Sequence, residues 1–130
     1  MKTPFKPSQV FAIVDYETFS ECNLKKSGPW VYSKHPTTEA LVVSVMVGTF
    51  LELQKKIKQK KVDFSWCPKA PWNSHRKDLH ENKSKFIRVM KDPTIIKVAH
   101  NAMFEQSITQ NVLPKYFPKT LAKPINDTNF

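Results

Sequence analysis

The chain has 130 residues, 40% of them hydrophobic and 12% aromatic, which is enough for the core of one domain and too apolar for a wholly disordered chain. It carries 21 Lys and Arg against 11 Asp and Glu, and this net charge of +10 suits a polyanionic partner such as nucleic acid. Only two glycines are present, without a GxGxxG or GxxxxGK[ST] pattern, so a glycine-rich phosphate loop is excluded.

The same composition bears on the compartment. No apolar run reaches the length of a membrane-spanning helix, so no membrane is expected as a partner. Residues 1–10 are polar and contain two prolines, unlike a secretory signal. Cys22 and Cys67 are too few for a disulfide framework and lack metal-finger spacing, as is usual in a reducing cytosol. We therefore expect a cytoplasmic protein.

Two short apolar runs in the first half predict strands. Residues 10–14 end abruptly at Asp15, and residues 40–47 are followed by Gly48. Continuous apolar runs with β-branched members are typical of strands buried on both faces. Between them, Gly and Pro residues predict turns at 27–29 and 35–38.

The middle of the chain changes character. Residues 54–61 are mostly lysine, which predicts a solvated loop or hairpin tip. Residues 62–66 alternate between apolar and polar side chains, which predicts a short strand leaving that tip. Residues 68–73 contain two prolines and are predicted as loop.

The second half returns to regular structure. A helix is predicted over 83–91, ending at Pro93 because proline disfavours helical geometry in the residue before it. A third strand is predicted over 94–99 and a second helix over 102–113, with Asn101 as its N-cap. Strands alternating with helices predict an α/β fold with a mixed sheet.

Asp15 and Glu17 are the first residues whose pattern points to chemistry. Residues i and i+2 of a strand share one face, about 6–7 Å apart. Two such carboxylates can converge on a hard divalent cation, and burying them without a metal or basic partner would be costly. The alternative is that both are simply solvated at the end of the strand.

A longer string of residues resembles a known family. Its first block includes DYETFS at 15–20, NLKKSG at 23–28 and YSKHP at 32–36, and its second includes residues 96–102 and Phe104-Glu105. In this order and spacing the two blocks resemble the opening of the 3′–5′ exonuclease domain of phage-type family A DNA polymerases, which belong to the DEDD group of the RNase H-like fold. The similarity covers residues 10–113.

The resemblance implies a fold, a cofactor and a mechanism. The fold would be an RNase H-like mixed sheet flanked by helices, with residues 1–130 as the N-terminal part of the domain and the C-terminus apparently incomplete. Asp15, Glu17 and Glu105 would be the catalytic metal ligands for two Mg²⁺ or Mn²⁺ ions, with Asp15 bridging them. The ions would activate a water for in-line attack on the terminal phosphodiester and stabilise the leaving oxygen. Glu105 stands where the wider group usually has Asp.

The same resemblance suggests contacts to a single-stranded 3′ end of DNA. Asn101 would cap its helix, and Phe104 would pack near the terminal nucleotide or, alternatively, belong to the core. The lysine run would follow the phosphate backbone or, alternatively, form a solvated face. Its members are Lys55, Lys56, Lys58, Lys60 and Lys61.

The family's third motif, a Tyr or His followed four residues later by Asp, has no counterpart, since Tyr116 is followed by Thr120. We therefore expect weak or no hydrolysis from this chain alone. The resemblance further implies a bacterial or phage-infected cytoplasm and, as a partner, the remainder of a DNA polymerase. Two alternatives stay open: a non-catalytic nucleic-acid-binding module, and a subunit completed by a second polypeptide.

Overall fold

The protein is an α/β structure in the computed structural model, which describes residues 5–69 and 82–117. Most of the loop predicted over 68–73, and Thr120 of the incomplete third motif, lie outside the described residues. The strands are β1 (Phe11–Phe19), β2 (Glu39–Gly48), β3 (Phe64–Trp66) and β4 (Ile96–Val98). The helices are α1 (Leu24–Lys34), α2 (Phe50–Gln59), α3 (Lys83–Lys91) and α4 (Ala102–Asn111), followed by a 3₁₀ helix (Leu113–Tyr116).

The four strands form one mixed sheet in the order β3-β2-β1-β4. β2 is antiparallel to both β1 and β3, whereas β4 is parallel to β1. The prediction of a mixed sheet flanked by helices is confirmed, and the arrangement is consistent with an RNase H-like fold.

The two faces of β1 divide the molecule. Ala12, Val14 and Tyr16 are buried, whereas the intervening Asp15 and Glu17 are exposed, as the period of two in a strand requires. The buried face packs in one hydrophobic core with α1, α3 and α4, and we call it the core face. The opposite face, which carries Asp15 and Glu17, is called the open face.

The turn predicted over 27–29 lies inside α1. Asn23 caps the helix by accepting a hydrogen bond from the backbone N–H of Lys26. Gly28 then breaks the helix with a φ of 81°, in the left-handed region that favours glycine, and Pro29 begins its second part. The turn predicted over 35–38 is confirmed by a hydrogen bond from the N–H of Thr38 to the carbonyl of His35.

The loop predicted over 54–61 is wrong, because most of this segment belongs to α2. Thr49 and Glu52 form a reciprocal capping box at the start of the helix, and Lys60 ends it in the left-handed conformation. Leu53 is buried against the sheet. The lysines obscured a helix that its cap and apolar spacing specify.

The second half follows its prediction closely. α3 has the predicted bounds, β4 is shorter than the predicted strand, and α4 ends at Asn111 because the chain tightens into the 3₁₀ helix before Pro114 can enter it. Within 5–69 and 82–117, no helix combines the length and apolar character that crossing a membrane requires.

Candidate functional site

The candidate site lies where β1 continues beyond its pairing with β4. The parallel pairing stops at Ile13 and Val98, so Asp15 and Glu17 lie on a part of β1 that pairs with β2. A β-bulge follows, because the register shifts between Glu17 and Thr18 and leaves Leu41 unmatched. Bulges re-aim side chains at the ends of strands. Asp15 and Glu17 are therefore exposed on the part of β1 that extends beyond its pairing with β4.

Glu105 approaches this part of β1 from the first turn of α4. The side chain is only 5% exposed, and its Oε2 atom has no hydrogen-bond partner among the described residues. Burial raises the pKa of Glu105 from 4.5 to about 7, and the charge of Asp15 adds to the rise. The backbone N–H groups of Glu105 and Tyr16 act in the opposite direction on this pKa. A buried carboxyl oxygen without a partner is energetically costly.

A buried hydroxyl pair fixes α4 against β1 next to Glu105. The Tyr16 and Thr109 hydroxyls lie 2.9 Å apart, and the Thr109 hydroxyl donates to the backbone carbonyl of Glu105 at 2.7 Å. Burial raises the pKa of Tyr16, and the charge of Glu105 adds to the rise. This pair was not predicted from the sequence. Two signals were available in the sequence. Strand alternation turns Tyr16 inward between Asp15 and Glu17, and the i, i+4 spacing places Glu105 and Thr109 on one side of the helix.

The three predicted metal ligands are not all equally placed. The charge of Asp15 contributes to the raised pKa of Glu105, which indicates that these two carboxyl groups lie near each other. Glu17 lies two residues beyond Asp15 on the open face. Among the residues that the structure describes, no group of three His, Cys, Asp or Glu side chains stands ready to hold a metal ion. The three-carboxylate metal site therefore stays a prediction.

Asn101 and Phe104 flank Glu105 in sequence. Asn101 occupies the predicted N-cap position of α4, although its side chain makes no capping hydrogen bond. Instead, its backbone carbonyl accepts from the N–H groups of Phe104 and Glu105. Phe104 is partly buried against the core, with its ring centroid 6.0 Å from that of Tyr32. This contact supports the core alternative for Phe104, whereas its contact with a nucleotide is untested.

One member of the lysine run has a structural role. The Lys56 amine donates to the Asp63 carboxylate at 2.8 Å and to the Val47 carbonyl at 2.6 Å. Asp63 also accepts from the backbone N–H of Val47 at 2.6 Å. Lys56 therefore joins α2 to β2 and to the loop before β3.

The other lysines of the run are arranged differently. Lys55 and Lys58 are exposed on α2. Lys60 and Lys61 are exposed at the end of the helix. Lys60 has a φ of 54°, and the backbone N–H of Lys61 donates to the backbone carbonyl of Lys56. These four amines, rather than five, present positive charge toward solvent, so their contact with a phosphate backbone stays a prediction.

Comparisons with protein-family models, with curated proteins and with solved structures find no match for this chain. The site must therefore be interpreted from its own residues. Carboxylate oxygens are the ligands that Mg²⁺ and Mn²⁺ prefer, so Asp15 and the Oε2 atom of Glu105 are the groups with which a cation would be tested.

Proposed function

We propose that this chain is part of a metal-dependent 3′–5′ exonuclease that removes nucleotides from single-stranded DNA ends, as in the proofreading domain of family A-like DNA polymerases. The resemblance of residues 15–39 and 92–105 to that family supports the proposal, together with the charge of +10. A cytoplasmic location in a bacterium or a phage-infected host belongs to the same proposal.

The observation that carries the proposal is the buried carboxyl group of Glu105. A core position would ordinarily hold an apolar side chain, but Glu105 has an oxygen without a partner among the described residues, and its carboxyl group is influenced by the charge of Asp15. Carboxyl groups in this condition are candidates for functional sites because folding alone gains nothing from them. A divalent cation would supply the missing partner.

Asp15, Glu17 and Glu105 would hold the metal. When bound, the ions would activate water and stabilise the leaving oxygen of the phosphodiester. Asp15 and Glu17 are exposed, so a DNA end can reach them from the open face. The hydrogen bond between Tyr16 and Thr109 joins β1 to α4, the helix that bears Glu105, so these two would act as positioning residues.

Metal binding is the first test. Isothermal titration of the chain with MnCl₂ should give a weak binding isotherm that Asp15→Asn and Glu105→Gln abolish. Glu21→Gln is a matched control, because this exposed carboxylate lies just beyond β1. Equal affinity for the chain and for Asp15→Asn would contradict the proposed site.

Activity is the second test. The assay is the release of mononucleotides from a 3′-labelled single strand with Mn²⁺ present, using Asp15→Asn as the control. Little release is expected from the chain alone, and Asp15-dependent release should appear when a segment that supplies Tyr or His and Asp of the third motif is added or fused. Binding of DNA without metal binding or release would favour a non-catalytic binding module instead.

A further inference from the structure

The open face carries an apolar groove beside α2, at the end of the sheet away from Glu17. The groove has a volume of about 650 Å³. Its floor is formed by the sheet and its wall by the helix, and we call it the α2 groove. Its principal lining residues are Phe11, Ile13 and Val98 on the floor, and Phe50, Leu51 and Ile57 on the wall.

The wall of the groove is unusually exposed for an apolar helix face. Phe50, Leu51 and Ile57 are 63%, 68% and 55% exposed, whereas Phe86 and Met90 of α3 are buried. Contiguous exposed apolar patches mark interaction surfaces, because each square ångström of apolar area left in water costs about 25 cal/mol. The floor includes the parallel pair β1–β4, and parallel strands are normally covered on both faces. The α2 groove is therefore a surface that gains free energy when covered.

The charge around the groove indicates what covers it. Lys6 and Gln54 contribute polar groups to the lining, and Lys58 is exposed on the same helix. Asp63 pairs with Lys56, and Glu52 accepts from the N–H of Thr49 at the start of the helix. Asp15 is exposed on the open face two residues beyond Ile13. The positive charge beside the groove therefore comes from Lys6 and Lys58.

We propose that the α2 groove binds an amphipathic helix of another polypeptide, with an apolar stripe that fills the groove and acidic residues along its edges. An amphipathic helix places apolar anchors at i, i+3, i+4 and i+7, which suits an apolar groove with a volume of about 650 Å³, and its acidic edges would face Lys6 and Lys58. The described lining is mostly apolar and offers few of the polar groups that a nucleic-acid strand would need, and its concave shape does not suit a flat lipid surface. This inference does not depend on the proposed exonuclease.

The test uses the 130-residue chain and labelled model peptides of about 16 residues, long enough to carry two full sets of these anchors, in a fluorescence anisotropy titration. The first peptide is a helix with Leu at the groove-facing positions and Glu at the edges. A second has the same composition in scrambled order, and a third has Lys in place of Glu. The first peptide alone is expected to bind with measurable affinity.

Two substitutions locate the binding. Leu51→Ser should weaken the peptide by about tenfold, as for a truncated anchor residue, and Ile57→Ser should act in the same direction. Both side chains are more than half exposed, so the fold should survive, and circular dichroism checks this. Leu41→Ser is the matched control, because Leu41 is 44% exposed on β2 outside the groove, and it should leave the affinity unchanged. Lys58→Glu should weaken the Glu-edged peptide and strengthen the Lys-edged one.

Four results would overturn the proposal. The first is equal binding of the Glu-edged and Lys-edged peptides, and the second is an affinity that Leu51→Ser leaves unchanged. The third is Leu51-dependent binding to phosphatidylglycerol vesicles or to oligothymidylate in place of the peptide. The fourth is Leu51-dependent dimerisation of the chain in sedimentation. The last two would assign the groove to a lipid surface, a nucleic acid or a second copy of the chain.

Discussion

The core face and the open face of the sheet are built from alternate residues of the same strands and have opposite properties. On the core face, Trp66 and Phe86 are fully buried, with their ring centroids 5.4 Å apart. On the open face, β1 presents carboxylates, and α2 leaves most of its apolar side chains in contact with solvent. The buried contacts that stabilise the fold are therefore concentrated on the core face.

Glu105 is the exception that connects the two faces. It belongs to α4, which packs on the core face, yet its carboxyl group is influenced by the charge of Asp15 on the open face. Proteins tolerate a buried polar group without a partner mainly where function requires it. Substitutions are therefore expected to have large effects on the core face, small effects on the open face and condition-dependent effects at Glu105.

The largest effect is expected from Phe86→Ala. Phe86 is fully buried between Tyr16 and Trp66, with ring centroids at 6.3 and 5.4 Å. Removing a buried phenyl ring leaves a cavity and costs about 3–5 kcal/mol of the free energy of unfolding. Urea denaturation followed by circular dichroism measures it. The matched control is Phe50→Ala, because Phe50 is 63% exposed on α2 and its removal should cost far less. Equal costs would contradict the division between the faces.

The next effect, from Glu105→Gln, depends on pH. Below about pH 4.5 the carboxyl group of Glu105 is protonated in both the folded and the unfolded chain, so its ionisation does not change the free energy of unfolding. Between pH 4.5 and about 7 the unfolded chain loses the proton and the folded chain retains it, so the wild type loses stability as the pH rises. Without metal, Glu105→Gln should therefore be more stable than the wild type above pH 7, by up to about 3 kcal/mol.

Thermal unfolding at pH 4 and pH 8 measures this difference. Glu17→Gln is the control, since Glu17 is exposed and its substitution should change stability little at either pH. Adding Mn²⁺ at pH 8 should raise the stability of the wild type but not that of Glu105→Gln, because only the wild type would bind the cation. A difference between the two proteins that is the same at both pH values would show that Glu105 does not titrate on folding.

A smaller effect is expected from Tyr16→Phe. The substitution keeps the ring in the core and removes the hydroxyl that lies 2.9 Å from Thr109. Thr109 keeps its hydrogen bond to the carbonyl of Glu105, so the cost should be that of one buried hydrogen bond, about 0.5–1.5 kcal/mol. Val14→Ala provides a comparison on the same face, where a cavity rather than a hydrogen bond is at stake. Denaturant titration measures both.

The fold was predictable wherever the local pattern and the tertiary environment agree. The apolar runs predict β1 and β2 as strands, and the spacing within α3 predicts a helix. The prediction that the strands are buried on both faces is wrong, because alternate residues of β1 are exposed. α2 was missed because the lysines of residues 54–61 suggested a solvated loop, although the apolar residues of the segment have helical spacing. Its capping box, Thr49 with Glu52, was the local signal that the composition of the segment concealed.

The candidate site was only partly predictable. Strand alternation places Asp15 and Glu17 on one face, but the position of Glu105 relative to Asp15 depends on how α4 packs against β1. The burial of Glu105, its unpartnered oxygen and its raised pKa are consequences of three-dimensional packing. No local pattern encodes them, nor the ion pair that separates Lys56 from the rest of the lysine run.

The smallest effects on stability are expected in that run, where position separates two roles of one charge. Lys56→Gln breaks the ion pair with Asp63 and the bond to the Val47 carbonyl, which should cost about 1 kcal/mol or less because the pair is partly exposed. Lys55→Gln and Lys58→Gln together break no bond between described residues and should leave stability within about 0.5 kcal/mol.

If the exposed lysines follow a DNA backbone, this double substitution should nevertheless weaken binding to oligothymidylate. The dependence of the logarithm of the binding constant on the logarithm of the salt concentration should also become less steep, by about 0.7 for each phosphate that is no longer neutralised. Lys56→Gln should affect DNA binding less although it removes the same charge. Anisotropy titrations at several salt concentrations test this, and an unchanged slope for Lys55→Gln with Lys58→Gln would identify the run as a solvated face.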